Sequence, residues 1–274
     1  MNRHREMVSA GPVSIETYID GDQGGPDVVV LPSYGRDGGA DFDRFTAVLA
    51  GAGCRVLRPQ PRGIGRSAGP MTGVTLQDLG DDVAHVIISL ANGRAIVLGH
   101  AFGSFVARAV ATSHPGHVSA LIIAAASGRD IPPEITSAPF RAGDLTLPED
   151  ERLATLKLAF FAPGHDPSAW LAGWYPDTLR MQRDAAAASG STAGGPAGST
   201  GSQVSRYWTA GSAPIFQIIA GDDPFLPQDQ WGLLRSELGP RVTSTVIADA
   251  SHALFPEQPA AVAAAVTGYL STLT

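Results

Sequence analysis

"IVLGHAFGSFVAR", residues Ile96 to Arg108, holds the turn on which the fold of this chain is decided. An apolar run breaks at Gly99-His100-Ala101-Phe102-Gly103, and apolar residues at helical spacing follow. A strand that turns sharply into a helix needs small residues two before and two after the apex. Gly99 and Gly103 occupy those places. In the G-x-S-x-G pattern the apex carries a serine hydroxyl, but position 101 carries only a methyl group. The N–H of Phe102, opening the helix, is placed to favour negative charge on a ligand oxygen.

Outward from this turn the chain alternates. "SIETYID" is expected as an early strand, and "DVVVLP" is a β-branched run suited to a strand buried on both faces. "DFDRFTAVLAGAG" is helical, "CRVLRP" the next strand, and "TLQDLGDDVAHVIISLANG" a helix with Thr75 and Asp78 as a capping pair. "AIVLG", "SFVARAVATSH" and "VSALIIAAA" then read as strand, helix and strand. After an excursion come strand "APIFQIIA", helix "QDQWGLLRSEL", strand "RVTSTVIAD" and a closing helix in "PAAVAAAVTGYLSTL". Strands alternating with helices of this length predict an α/β fold, a mostly parallel sheet with helices on both faces.

The excursion divides the chain into a core of residues 1–127 and 213–274 and an insertion of 128–212. The insertion is proline-rich at its start and then dense in aromatics, with Phe160, Phe161, Trp170, Trp174 and Tyr175. It is expected to cap a pocket. Residues 185–203, made of small side chains, are expected to form a flexible segment.

Composition excludes several classes. The 274 residues carry a formal net charge of -7 and no basic stripe, which argues against nucleic acid as a partner. Lys157 is the only lysine and Cys54 the only cysteine, so no intrachain disulfide can form. No apolar run approaches the ~18 residues of a membrane span, and the N-terminus lacks a signal-peptide core. A soluble, cytoplasmic protein is expected, with a small molecule as its partner and a homodimer as a compatible assembly. The histidines show no metal-binding spacing and no phosphate-binding glycine motif follows a strand, so neither metal nor cofactor is expected.

Ligands of a parallel sheet bind at the carboxyl ends of its strands, which directs attention to four stretches. Besides the turn at Ala101, "ASHALFPEQP" places His252 after the last strand, and "IIAGDDPFLP" offers Asp222 or Asp223 to orient it, with Asp223 preferred. "VVVLPSYGRDGG" offers Tyr34 and Gly35 as partners of Phe102 in an oxyanion hole. Ser33, His100, Phe161, Trp170, Trp174 and Leu254 are candidates to line the substrate pocket.

These motifs, in this order over nearly the whole chain, resemble the α/β-hydrolase fold superfamily. The resemblance is nearest to bacterial members that read G-H-A-F-G, which implies that Ala101 is a natural residue. There are departures: Ser33-Tyr34 stands for the usual His-Gly, Gln60-Pro61 precedes Arg62-Gly63 where an Asp is usual, and Ser251 replaces the usual Gly.

A methyl group cannot form an acyl-enzyme, so conventional serine-esterase action is not expected. A histidine–carboxylate pair beside an oxyanion hole can still deprotonate a substrate or activate water. The expected function is cofactor-independent chemistry, hydrolytic or of lyase or cyclase type, on a small, largely apolar carbonyl compound, with His252–Asp223 as the base. Two alternatives are a catalytically silent ligand-binding protein and a Ser-to-Ala variant of an ordinary carboxylic-ester hydrolase.

Overall fold

The computed structural model describes residues 3–189 and 207–273. Eight strands form one sheet: β1 (His4–Ala10), β2 (Val13–Asp20), β3 (Asp27–Leu31), β4 (Arg55–Pro59), β5 (Ala95–His100), β6 (Val118–Ala124), β7 (Ile215–Ala220) and β8 (Val242–Ile247). Their order is β1-β2-β4-β3-β5-β6-β7-β8. Six of them, β3 to β8, run parallel, and β1 and β2 form an antiparallel margin. The run Asp27–Leu31 is buried at every residue, as its β-branched composition requires.

Strand β1 is absent from the sequence expectation for a physical reason. Most of its side chains are exposed, so it carries no apolar alternation and is held by backbone pairing with β2.

Helices cover both faces. One face holds α1 (Asp43–Gly51) with the C-terminal α10 (Pro259–Leu270); the other holds α2 (Leu76–Leu90) and α3 (Phe102–Ser113). Thr75 and Asp78 make the expected reciprocal cap on α2. The helix expected in "QDQWGLLRSEL" is shorter, a 3-10 turn and then α8 (Leu233–Leu238), and a short α9 (Leu254–Glu257) follows the His252 loop.

Between β6 and β7 the insertion contributes α4 (Pro133–Thr136), α5 (Ala138–Ala142), α6 (Glu149–Ala159) and α7 (Pro176–Ala188). Phe160, Phe161, Trp170 and Trp174 join the same apolar cluster as α2 and α3, whereas Tyr175 stays outside it and donates to Asp37. The expected flexible segment begins too early: residues 185–188 are the last turn of α7, and Ala185 and Ala186 are buried. Alanine is the strongest helix former, so its density there favours helix. The remainder of that segment, apart from Ser189, lies outside the described residues.

Candidate active site

The expected turn forms between β5 and α3. Ala101 has φ 49° and ψ -111°, a backbone conformation that side-chain-bearing residues seldom adopt. The close approach depends on the flanking glycines. A Cβ on Gly99 would lie 2.3 Å from the Gly103 carbonyl oxygen, and one on Gly103 would lie 2.4 Å from that of Leu31. The turn therefore has the full geometry of a nucleophile elbow with no side-chain oxygen at its apex.

His252 and Asp223 meet as expected. His252 Nδ1 lies 3.0 Å and 3.2 Å from the two Asp223 carboxylate oxygens, and both side chains are buried. The carboxylate accepts the Nδ1–H, which leaves Nε2 as the proton acceptor of the pair. Asp223 is fixed in turn by the Phe225 N–H at 2.9 Å, while Asp222 is exposed and makes only backbone and Ser251 contacts. The Phe225 ring lies 4.1 Å from the His252 ring, and Phe160 meets it edge-on at 5.6 Å.

His100 has a second role that its place in the motif does not reveal. Its Nε2 lies 2.7 Å from the His252 carbonyl oxygen, which can only accept, so the proton sits on Nε2. Burial, and then the neighbouring His252, push its pKa down to about 3. His100 is a neutral tie between the elbow and the histidine loop, and no candidate base.

Tyr34 and Phe102 are side by side, with ring centroids 4.3 Å apart. Neither backbone N–H has a hydrogen-bond acceptor among the described residues, which is the state an oxyanion hole requires. Gly35 does not fit its expected place: its N–H donates to Gln182 Oε1 at 2.7 Å and is therefore taken. Burial raises the Tyr34 phenol above its ordinary pKa and keeps it a neutral O–H.

The expected pocket residues separate. Ser33 and His100 are buried beside the elbow, and the Ser33 hydroxyl has no bond to His252. Trp170 lies 6.2 Å from His100 and 6.2 Å from Trp174, and the Arg36 guanidinium covers both indoles. Phe161 touches Trp170 but also lines a cleft of about 450 Å³ outside the His252 loop, with Lys157, His165 and Asp222. Leu254 belongs elsewhere: it packs with Phe42, Phe45 and Phe255 in the core on the α1–α10 face. Its position next to the histidine loop gave no sign of that turn inward.

Three contacts between distant residues hold the site and were not legible beforehand. Glu257 accepts the N–H groups of Ser251 and Ala162, each at 2.7 Å, and so ties the His252 loop to the insertion. Burial raises its pKa in spite of those donors. Phe160 accepts the Ala253 N–H at 2.8 Å. Arg36 pairs with both oxygens of Asp41 and donates to the Ala172 carbonyl at 2.7 Å. Among the described residues no group of three or more His, Cys, Asp or Glu gathers as a metal site. No helix there is long and apolar enough to cross a membrane.

The sheet order, the elbow and the buried histidine–aspartate pair together define an α/β-hydrolase architecture. Residues 28–265 match the model of the alpha/beta hydrolase family, and the chain belongs to that family. A protein of Variovorax paradoxus (strain S110) whose assigned name is carbamate hydrolase RutD is 33% identical over 96 residues. That match spans only about a third of either protein, 34% of this chain and 36% of the relative. Among solved structures, the esterase RhEst1 from Rhodococcus sp. ECU1013 superimposes with a TM-score of 0.75 at 20% identity, covering 100% of both chains. Carboxylesterase CesB from Bacillus subtilis does so with a TM-score of 0.74 at 15% identity, over 99% of this chain and 93% of its own. At those identities the likeness is one of fold.

Proposed function

We propose that this protein is an enzyme that works on a small, largely apolar carbonyl compound without a covalent intermediate. The observation that carries the reading is the buried His252–Asp223 pair, whose loop His100 ties to the elbow, together with two unengaged N–H groups, those of Phe102 and Tyr34. His252 Nε2 takes a proton from water or from the substrate, and Asp223 stabilises the imidazolium that forms. The carbonyl oxygen, gaining negative charge, is held by the two N–H groups. Because residue 101 offers no nucleophile, water or a group of the substrate itself attacks, or a C–H proton is removed. Carbamates are the first class to assay, given the name carried by the partial relative, followed by short-chain esters and ketones. The substrate is the expected partner, and a homodimer remains the assembly to test.

Burial of His252, 3% exposed at its side chain, favours a second reading in which the protein only encloses a ligand. Quenched intact-mass measurements during turnover of the assay panel distinguish the readings. The enzyme reading expects product with no mass added to the protein. Absence of product with every class, together with a ligand-induced rise in melting temperature, supports the binding reading. An adduct on the chain overturns the non-covalent mechanism.

A further inference from the structure

We propose that a second cavity, behind the oxyanion loop, binds a small apolar molecule carrying one hydrogen-bond acceptor. The cavity has about 50 Å³ of room and lies among the ends of β3 and β4, helices α2 and α3, and Gln182 of α7. A single water needs ~10–15 Å³ on this scale, so it holds about four small heavy atoms. Leu31, Pro32, Leu79, Val83, Phe102 and Val106 make its wall, which includes neither Ala101 nor His252. It shares Phe102 with the site proposed above, but binding here does not depend on that chemistry.

Each polar atom of Gln60 and Arg62 at its edge already holds a partner within the protein, whereas Gln182 keeps an atom without one. Gln60 accepts the Gly38 N–H and donates to the Arg58 carbonyl. Arg62 spends Nε and Nη2 on Asp82, at 2.7 and 2.9 Å, and Nη1 on the Pro70 carbonyl. Gln182 is buried, 3% exposed, and its orientation is fixed because the Gly35 N–H must meet an oxygen. Its Nε2 makes no hydrogen bond within the described residues. That Nε2 keeps some accessible surface, and the cavity that Gln182 lines is where an acceptor can reach it. An apolar body of a few atoms with a single carbonyl, ether or hydroxyl oxygen satisfies both the wall and the donor. Such a ligand also touches Gln182, which holds Gly35, and Phe102, so its occupancy bears on the oxyanion loop.

Xenon and acetone are the probes. Crystals pressurised with xenon or soaked with acetone show where each sits, and NMR titration of the full protein gives the solution affinity. The expected result is both probes in the cavity, with the acetone oxygen on Gln182 Nε2. Gln182→Glu retains an acceptor for Gly35 and removes the donor; it should weaken acetone about fivefold and leave xenon unchanged. Val83→Phe, which fills the space, should abolish both, and serves if Gln182→Glu fails to fold. Equal acetone affinity in Gln182→Glu, ordered water in place of either probe, or binding at crystal concentration only overturns the proposal.

Discussion

The Nε2 of His100 lies 2.7 Å from the carbonyl oxygen of His252, so the residue before the elbow's apex holds the loop that carries the proposed base. The contact is a neutral imidazole N–H donating to a buried carbonyl, and protonation of the other nitrogen would place a charge in an apolar setting beside a second imidazole.

Stability should therefore fall in acid. The folded pKa of His100, about 3, lies below its ordinary value of 6.5, so the unfolded chain binds more protons between those limits. The contribution is complete above pH 6.5 and is lost as pH falls towards 3. This one group gives a slope of up to about 1.4 kcal/mol per pH unit in that window. Urea midpoints at pH 7 and pH 5 should show the fall, and His100→Gln, which keeps an N–H donor, should reduce it. An unchanged pH dependence in that variant contradicts the assignment.

Asp223→Asn should leave the fold in place and disable the base. The carboxamide can still accept the Phe225 N–H, but it no longer stabilises an imidazolium and can hold the wrong tautomer. Turnover should fall by about 10³–10⁴-fold, with a melting temperature close to that of the parent. Asp222→Asn, an exposed position, should change turnover less than twofold.

Gly103→Ala should be among the most damaging substitutions of a single methyl group. Its Cβ meets the backbone oxygens of Leu31 and Pro32 at 2.4 and 2.8 Å, and backbone cannot swing aside as a flexible side chain does. A loss of about 3 kcal/mol or more is expected in denaturant unfolding, or failure to accumulate as soluble protein. A variant as stable as the parent would show that the strand and helix are not locked at this approach.

The parts of the fold visible beforehand are those written in local pattern. The run from Val28 to Leu31, the Thr75–Asp78 cap, the glycines at 99 and 103, and the order Ala101, Asp223, His252 each leave a mark within a few residues. The invisible parts are pairings across the chain. Gln182 reaches Gly35 over 147 positions, and Glu257 reaches Ala162 over 95, and nothing near either residue announces its partner. The same holds for β1, whose exposed side chains hide a paired backbone, and for Leu254, whose neighbours fit a pocket as well as a core. The end of α7 is hidden for another reason: its alanines run straight into glycines and serines and share their small-residue composition, although alanine favours helix.

The proposed mechanism rests on an imidazole that needs no serine beside it. The decisive measurement is steady-state turnover of the best substrate from the carbamate, ester and ketone panel by three proteins: the unmodified chain, His252→Ala and Ala101→Ser. Loss of at least about 100-fold on removing the imidazole, with little change of the same reaction on adding the hydroxyl, is the expected outcome. Undiminished turnover in His252→Ala, or turnover that emerges only in Ala101→Ser, would contradict it.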